Sequence, residues 1–349
     1  MRQPKNAFDA VRLGAAFLVL ISHAYPLTGQ PEAEPLLVLT SGLATLGEVA
    51  VYVFFAISGY LVTRSWLADP HLARFMRRRC LRLFPALCLV ILASMAILGP
   101  AFSVLDAGAY FAAPEAWSYL AKVLIFPAQR GLPGVFTDLP YPDVVNGSLW
   151  TLRLEFLLYG VVAGAGLCGV LRFRAASVAL VLACLAAGLV LTGTEARRLP
   201  MARELTLFSL NAIPFLVGAV LAREGADRRA MARAMLVVAV AAAPLLLLGA
   251  GRFYLVLLVP FATLLLATAV TCDLTRFGDY SYGVYLWAFP LQQAVAALVP
   301  GITSAAMMLL AGLATAGCAA LSWHLVERPA LALKPGRRPL IAPRVALAE

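Results

Sequence analysis

The stretch "VRLGAAFLVLISHAYPL" (Val11–Leu27) decides the fold. It is almost wholly apolar and close to the ~20 residues that a helix needs to cross a bilayer. Yet it holds Arg12 near its start and His23 near its end. Ionisable groups at membrane depth are costly and usually face an interior cavity or pathway. At 100° per residue, eleven positions bring Arg12 and His23 to within about 20° of one face, about 16 Å apart along the axis. The stretch therefore reads as a membrane helix with one polar face. A secretory signal peptide does not fit, because no small-x-small cleavage site follows the run that begins after Arg2 and Lys5. The structural alternative is that Arg12 reaches lipid headgroups while His23 bonds a neighbouring helix.

The rest of the chain repeats this pattern. Of its 349 residues, 62% are hydrophobic and 13% charged, where soluble proteins carry about 25% charged residues. The reading is an all-α polytopic membrane protein of about ten spans: roughly 10–28, 46–66, 82–102, 148–170, 175–193, 205–222, 231–249, 253–272, 281–299 and 304–325. The net charge of +10 would suggest nucleic acid in a soluble chain. Here topology accounts for it, and no nucleic-acid partner is expected. With the N-terminus inside, 21 of the 28 Lys and Arg fall on the inner side, so both termini read as cytoplasmic. The six Cys lie in apolar segments or beside basic clusters, which predicts neither structural disulfides nor a metal site. Residues 1–331 form one transmembrane domain, and 332–349 a short basic cytoplasmic tail. No soluble domain is expected at either end. The long outer loop 103–147, rich in Pro, Gly, Tyr and Asp, is either a lid or binding element or a plain connector.

Four further stretches carry polar groups. "FMRRRCLRLFPAL" (75–87) puts Arg79 and Arg82 on one helix face at the cytoplasmic start of a span. Guanidinium pairs of this kind grip phosphates, and a topology anchor is the structural alternative. In "NGSLWTLRLEFLLYG" (146–160), Glu155 lies about 10 Å deep, at a depth similar to that of His23. A carboxylate there would orient the imidazole of a general base; pairing with Arg153 or another buried cation is the alternative. "FGDYSYGVYLWAFPLQQ" (277–293) and "SWHLVERPAL" (322–331) crowd Tyr282, Tyr285, His324, Glu327 and Arg328 at the cytoplasmic face beside Arg12 and Arg82. Aromatic side chains also favour membrane interfaces generally.

Taken together, these motifs resemble the integral-membrane acyltransferase family 3, the bacterial O-acyltransferases of surface glycans. The resemblance covers about residues 6–331. Arg12-x10-His23 resembles its first-helix motif. "YVFFAISGYLVTRSW" (52–66), with Ser58-Gly59, resembles its second helix, and Arg79-x-x-Arg82 with Pro85 its basic motif. "SLWTLRLEFLLYG" (148–160), "YSYGVYLWAFPLQ" (280–292) and "VERP" (326–329) complete the set. The resemblance implies acetyl-CoA as a co-substrate taken from the cytoplasm, with no resident cofactor. It implies a catalytic His23, an essential Arg12, and Arg79 and Arg82 on the CoA phosphates. The acceptor it implies is a sugar hydroxyl on an exported or lipid-linked glycan, at the bacterial cytoplasmic (inner) membrane. One departure is visible: Ala288 follows "YLW" where many members have His. The expected site is therefore His23, Arg12 and Glu155 for chemistry, with Arg79, Arg82, Tyr282, Tyr285, Glu327 and Arg328 at the donor mouth. The rival expectation is a transporter or flippase for a polar or lipid-linked solute. No internal inverted repeat supports it.

Overall fold

The computed structural model describes residues 7–124, 131–193, 201–223, 227–270, 272 and 278–335. Among them lie ten long helices: α1 (Phe8–Leu27), α2 (Leu46–Ala68), α3 (Leu72–Ala93), α4 (Trp150–Leu167), α5 (Arg174–Leu191), α6 (Ala202–Leu221), α7 (Arg228–Ala242), α8 (Gly251–Ala269), α9 (Ser281–Leu298) and α10 (Ser304–Ser322). The described residues contain no β-strand beyond one isolated bridge, Ser103 to Val135. The chain is an all-α, multi-pass membrane protein.

Nine of the helices are long and apolar enough to cross a bilayer. The helix outside that set is α9, which carries Tyr282, Tyr285, Pro290, Gln292 and Gln293. Its polar groups are spent inside the protein. Gln292, fully buried, donates from Nε2 to the Leu20 carbonyl of α1 at 2.8 Å. Gln293 donates to the carbonyls of Tyr141 and Val144 at 2.8 and 2.7 Å. The amide nitrogens are thus paired while both Oε1 atoms stay buried without a partner, so α9 gives up apolar character and gains fixed neighbours.

Two helix limits differ from the sequence reading. The third span begins at Leu72 rather than 82, because the His71 side chain accepts the Arg74 amide and starts the helix there. The basic run of residues 77–82 thus lies within the helix. It is anchored at its base, where Asp69 receives Arg74 (3.0 and 2.5 Å) and Arg78 (2.6 Å). Hydrogen bonds from Arg74 and Arg78 outweigh burial and hold the Asp69 carboxyl well below the usual carboxylate range. The last span runs on through a π-helical turn, Trp323–Glu327, to Ala332. A second π-helical turn, Ser94–Leu98, extends α3 to Phe102. There the buried Tyr110 hydroxyl donates to the Met95 carbonyl at 2.8 Å.

At the centre, α2 packs backbone to backbone against α6. A Cβ added at Gly59 would collide with the Phe215 carbonyl, and one at Gly218 with the Ala56 carbonyl. Lipid tails are as apolar as side chains, so close approach at small residues is what holds such helices together. The start of α2 is fixed by a capping box. Thr45 accepts the Glu48 amide at 3.1 Å, and Glu48 accepts the Thr45 amide at 3.0 Å. We predict that Gly218→Leu forces α2 and α6 apart at a cost of about 3 kcal/mol. The result is a markedly lower melting temperature of the detergent-purified protein, whereas Gly160→Leu, which meets open space, leaves it near wild type.

Candidate active site

The geometry is set by α1 and α9, which run parallel. At one end Arg12 meets Asp279 (Nη1 to Oδ2, 3.3 Å). At the other, the His23 ring stands edge-on to Phe289, centroids 5.2 Å apart. Eleven residues on α1 and ten on the α9 side span nearly equal rises, about 16 and 15 Å. The two contacts thus form two rungs of one ladder.

The Arg12 end is strongly basic. Arg82 of α3 reaches the same Asp279 oxygen at 2.7 Å, and Ser281 donates to the other oxygen at 2.6 Å. Burial opposes ionisation of Asp279. Arg82 and Arg12, helped by Ser281, overcome it and hold the carboxyl well below its ordinary range. The Arg82 guanidinium also lies 5.3 Å over the Tyr282 ring, while the Tyr282 hydroxyl donates to the Leu83 carbonyl at 2.9 Å. Arg79 lies 5.8 Å from the centroids of Phe75 and Tyr159, and its Nε is buried without a partner. Lys334 joins this group. Burial, Arg82 and Arg79 pull its ammonium down to about 8.

Glu327 and Arg328 part company. Glu327 is buried, accepts the Ser322 hydroxyl at 2.9 Å, and keeps one oxygen unpartnered. Arg328 is exposed. His324 is also exposed, 3.3 Å from the Tyr280 hydroxyl.

Glu155 is not where depth alone suggested. It does not orient His23. Its Oε1 accepts the Ser58 hydroxyl of α2 and, at 2.6 Å, the Tyr159 hydroxyl one turn on. The reason is azimuthal: matching depths say nothing about which face of α4 carries the carboxylate, and that face meets α2. A small cavity of about 40 Å³ joins Glu155 and Ser58 to Arg12, Tyr282 and Tyr285. Tyr285, expected at the basic mouth, instead stands higher. It donates to the Ser148 carbonyl at 2.8 Å and lies 2.5 Å from the Thr151 hydroxyl.

At the far end, the Nδ1 of His23 is buried and has no partner. The described part of the 103–147 loop is tied over this end. Asn146 donates to the Leu286 carbonyl at 3.0 Å, and Gln293 holds Tyr141, whose ring lies 5.9 Å from Phe289. The loop is therefore a built cover rather than a plain connector.

Sequence reasoning passed over Asp279, Ser58 as the partner of Glu155, Tyr159 and Lys334. Asp279 had a signal: Arg12 and Arg82, assigned to one face of the bundle, required a counter-charge there.

Comparison with known proteins places the chain in a class. The family model described as an acyltransferase domain, Acyl_transf_3, matches residues 5–323. The chain belongs to this family of acyltransferases. It is similar to an O-acetyl transferase of Shigella phage Sf6, 34% identical over 330 residues, or 93% of this chain and 95% of that one. It is also similar to Nodulation protein 10 of Rhizobium leguminosarum bv. viciae, 29% identical over 380 residues, or 99% of this chain and 97% of that one. No solved structure matches it. Membership favours group transfer over solute transport, and the protein is an acyltransferase.

The basic mouth generates a pH prediction. Affinity for pyrophosphate, measured by calorimetry, falls as pH rises through about 8, where Lys334 loses its proton. Lys334→Arg, charged throughout, flattens the profile between pH 7 and 9.

Proposed function

We propose that the protein is an O-acetyltransferase. It takes an acetyl group from acetyl-CoA at the Arg12 end and delivers it, at the His23 end, to a hydroxyl of an extracytoplasmic or lipid-linked glycan. The Arg12 end faces the cytoplasm by the positive-inside rule, which suits a bacterial cytoplasmic membrane. The observation that carries this reading is the parallel ladder of α1 and α9. It sets a cluster of guanidinium groups about 16 Å from an imidazole with an unpartnered ring nitrogen.

Arg79 supports phosphate binding through its unpaired buried Nε. Arg82, Tyr282 and Lys334 shape the same mouth, and Arg12 marks its innermost edge. The pantetheine arm runs past Glu155 and Tyr285 towards His23. Neutral imidazole accepts the proton of the acceptor hydroxyl as its oxygen bonds to the acetyl carbonyl carbon. The carbon–sulfur bond then breaks, and the imidazolium returns the proton to the leaving CoA thiolate. Glu155 acts at a distance, by fixing Ser58 and Tyr159 around the channel.

The name of one relative, the O-acetyl transferase of Shigella phage Sf6, fits this class. The test is transfer of label from radiolabelled acetyl-CoA to an envelope glycan extract. His23→Ala loses about 10²–10⁴-fold in transfer, the worth of a positioned acid–base group, while acetyl-CoA binding measured by calorimetry stays within a few-fold. Wild-type transfer rates in His23→Ala would overturn the assignment.

A further inference from the structure

One cavity lies away from the basic mouth. It is a cleft of about 490 Å³, within the range of small-molecule sites, at the His23 end of the bundle. Its floor includes Leu27, one turn beyond His23 on α1, and Ala296, two turns beyond Phe289 on α9. It thus lies one to two helical turns beyond the imidazole end of the ladder, and no arginine lines it. Its walls come from the 103–147 loop and the turn that joins α9 to α10.

Three features distinguish the cleft from an accidental gap. It combines aromatic rings, Phe102 and Phe136, with hydrogen-bonding groups, Thr28, Thr137 and Asp138. The two rings pack together, centroids 5.2 Å apart. Phe136 itself is buried at φ +60°, a left-handed backbone that a bulky residue adopts only under constraint and that clusters at ligand clamps. The constraint is visible: Ser103 donates to the Pro133 carbonyl at 2.8 Å, Val104 to the Gly134 carbonyl at 2.9 Å, and Asp143 to the Phe136 carbonyl at 3.2 Å. The loop is therefore fastened so as to hold Phe136 and the adjacent Thr137 and Asp138 at the cleft.

Resting on the acyl-transfer reading above, we infer that this cleft is the acceptor subsite and takes a single sugar ring. The apolar face of the ring lies against Phe102, which the buried Phe136 backs, and its hydroxyls bond the Asp138 carboxylate and the Thr137 hydroxyl. Aromatic surface beside an exposed carboxylate suits a pyranose, which has one face of C–H groups and a rim of hydroxyls. A phosphate would be repelled by Asp138, and a bare acyl chain offers no donor to that carboxylate, whose Oδ2 takes the Thr137 hydroxyl at 3.1 Å. The cleft admits the ring from the side opposite the donor, so that one hydroxyl points down towards His23.

The test uses full-length protein in detergent, radiolabelled acetyl-CoA, and an envelope glycan extract titrated as acceptor. Two variants alter the cleft by independent means: Asp138→Asn removes the carboxylate charge on an exposed loop, and Ala297→Trp fills the space. Each raises the half-saturating concentration of extract about tenfold or more, while acetyl-CoA affinity by calorimetry is unchanged. Wild-type saturation in both variants would overturn the inference, as would a parallel loss of acetyl-CoA affinity. Wild-type protein that binds acetyl-CoA but labels no glycan would overturn the sugar as occupant. Wild-type protein that fails to bind acetyl-CoA would instead overturn the donor reading beneath it.

Discussion

One carboxylate holds the active end of this protein together. Asp279 takes Arg12 from the first helix and Arg82 from the third, and it sits two residues before α9 begins. Three segments far apart in sequence thus meet at one oxygen. Taking a carboxylate and two guanidinium groups out of water is expensive, and removing one partner from such a group leaves an uncompensated charge. With one carboxylate for two cations, Asp279 leaves the cluster net positive. The mouth is therefore assembled before any ligand arrives and keeps charge for an anion.

From that knot, α9 runs as a spine. Every few residues it hands a polar group to a different neighbour: Tyr282 to α3, Tyr285 to the start of α4, Gln292 to α1 and Gln293 to the covering loop. Each bond is worth more as a positional constraint than as a stabilising term, because the alternative in an apolar interior is an unsatisfied group. The same helix therefore sets the basic mouth, the passage between the two ends and the surroundings of His23. It also fixes the lid, through Asn146 and Tyr141.

Much of this was legible in the sequence. Helix positions followed from apolar runs, and the shared face of Arg12 and His23 followed from the 100° step. What the sequence could not give was azimuth between helices. Glu155 has the right depth for His23 but turns to Ser58. Tyr285 has the right spacing for the mouth but stands a turn above it, with Thr151. The extension of α3 back to Leu72 depends on a capping contact from His71 rather than on hydropathy. Lys334 was read as tail, yet Pro335 beside it accepts Arg78 at 3.3 Å, so this stretch folds back on the bundle. Non-local contacts of this kind leave no periodic trace in the chain.

The central claim is that donor and acceptor meet from opposite ends of one bundle. Sealed inverted membrane vesicles test it directly, with glycan extract enclosed in the lumen and labelled acetyl-CoA added outside, at the cytoplasmic face. The account predicts labelled glycan inside intact vesicles, and no labelling of glycan added outside with the donor. Labelling only when donor and acceptor share one side would contradict it.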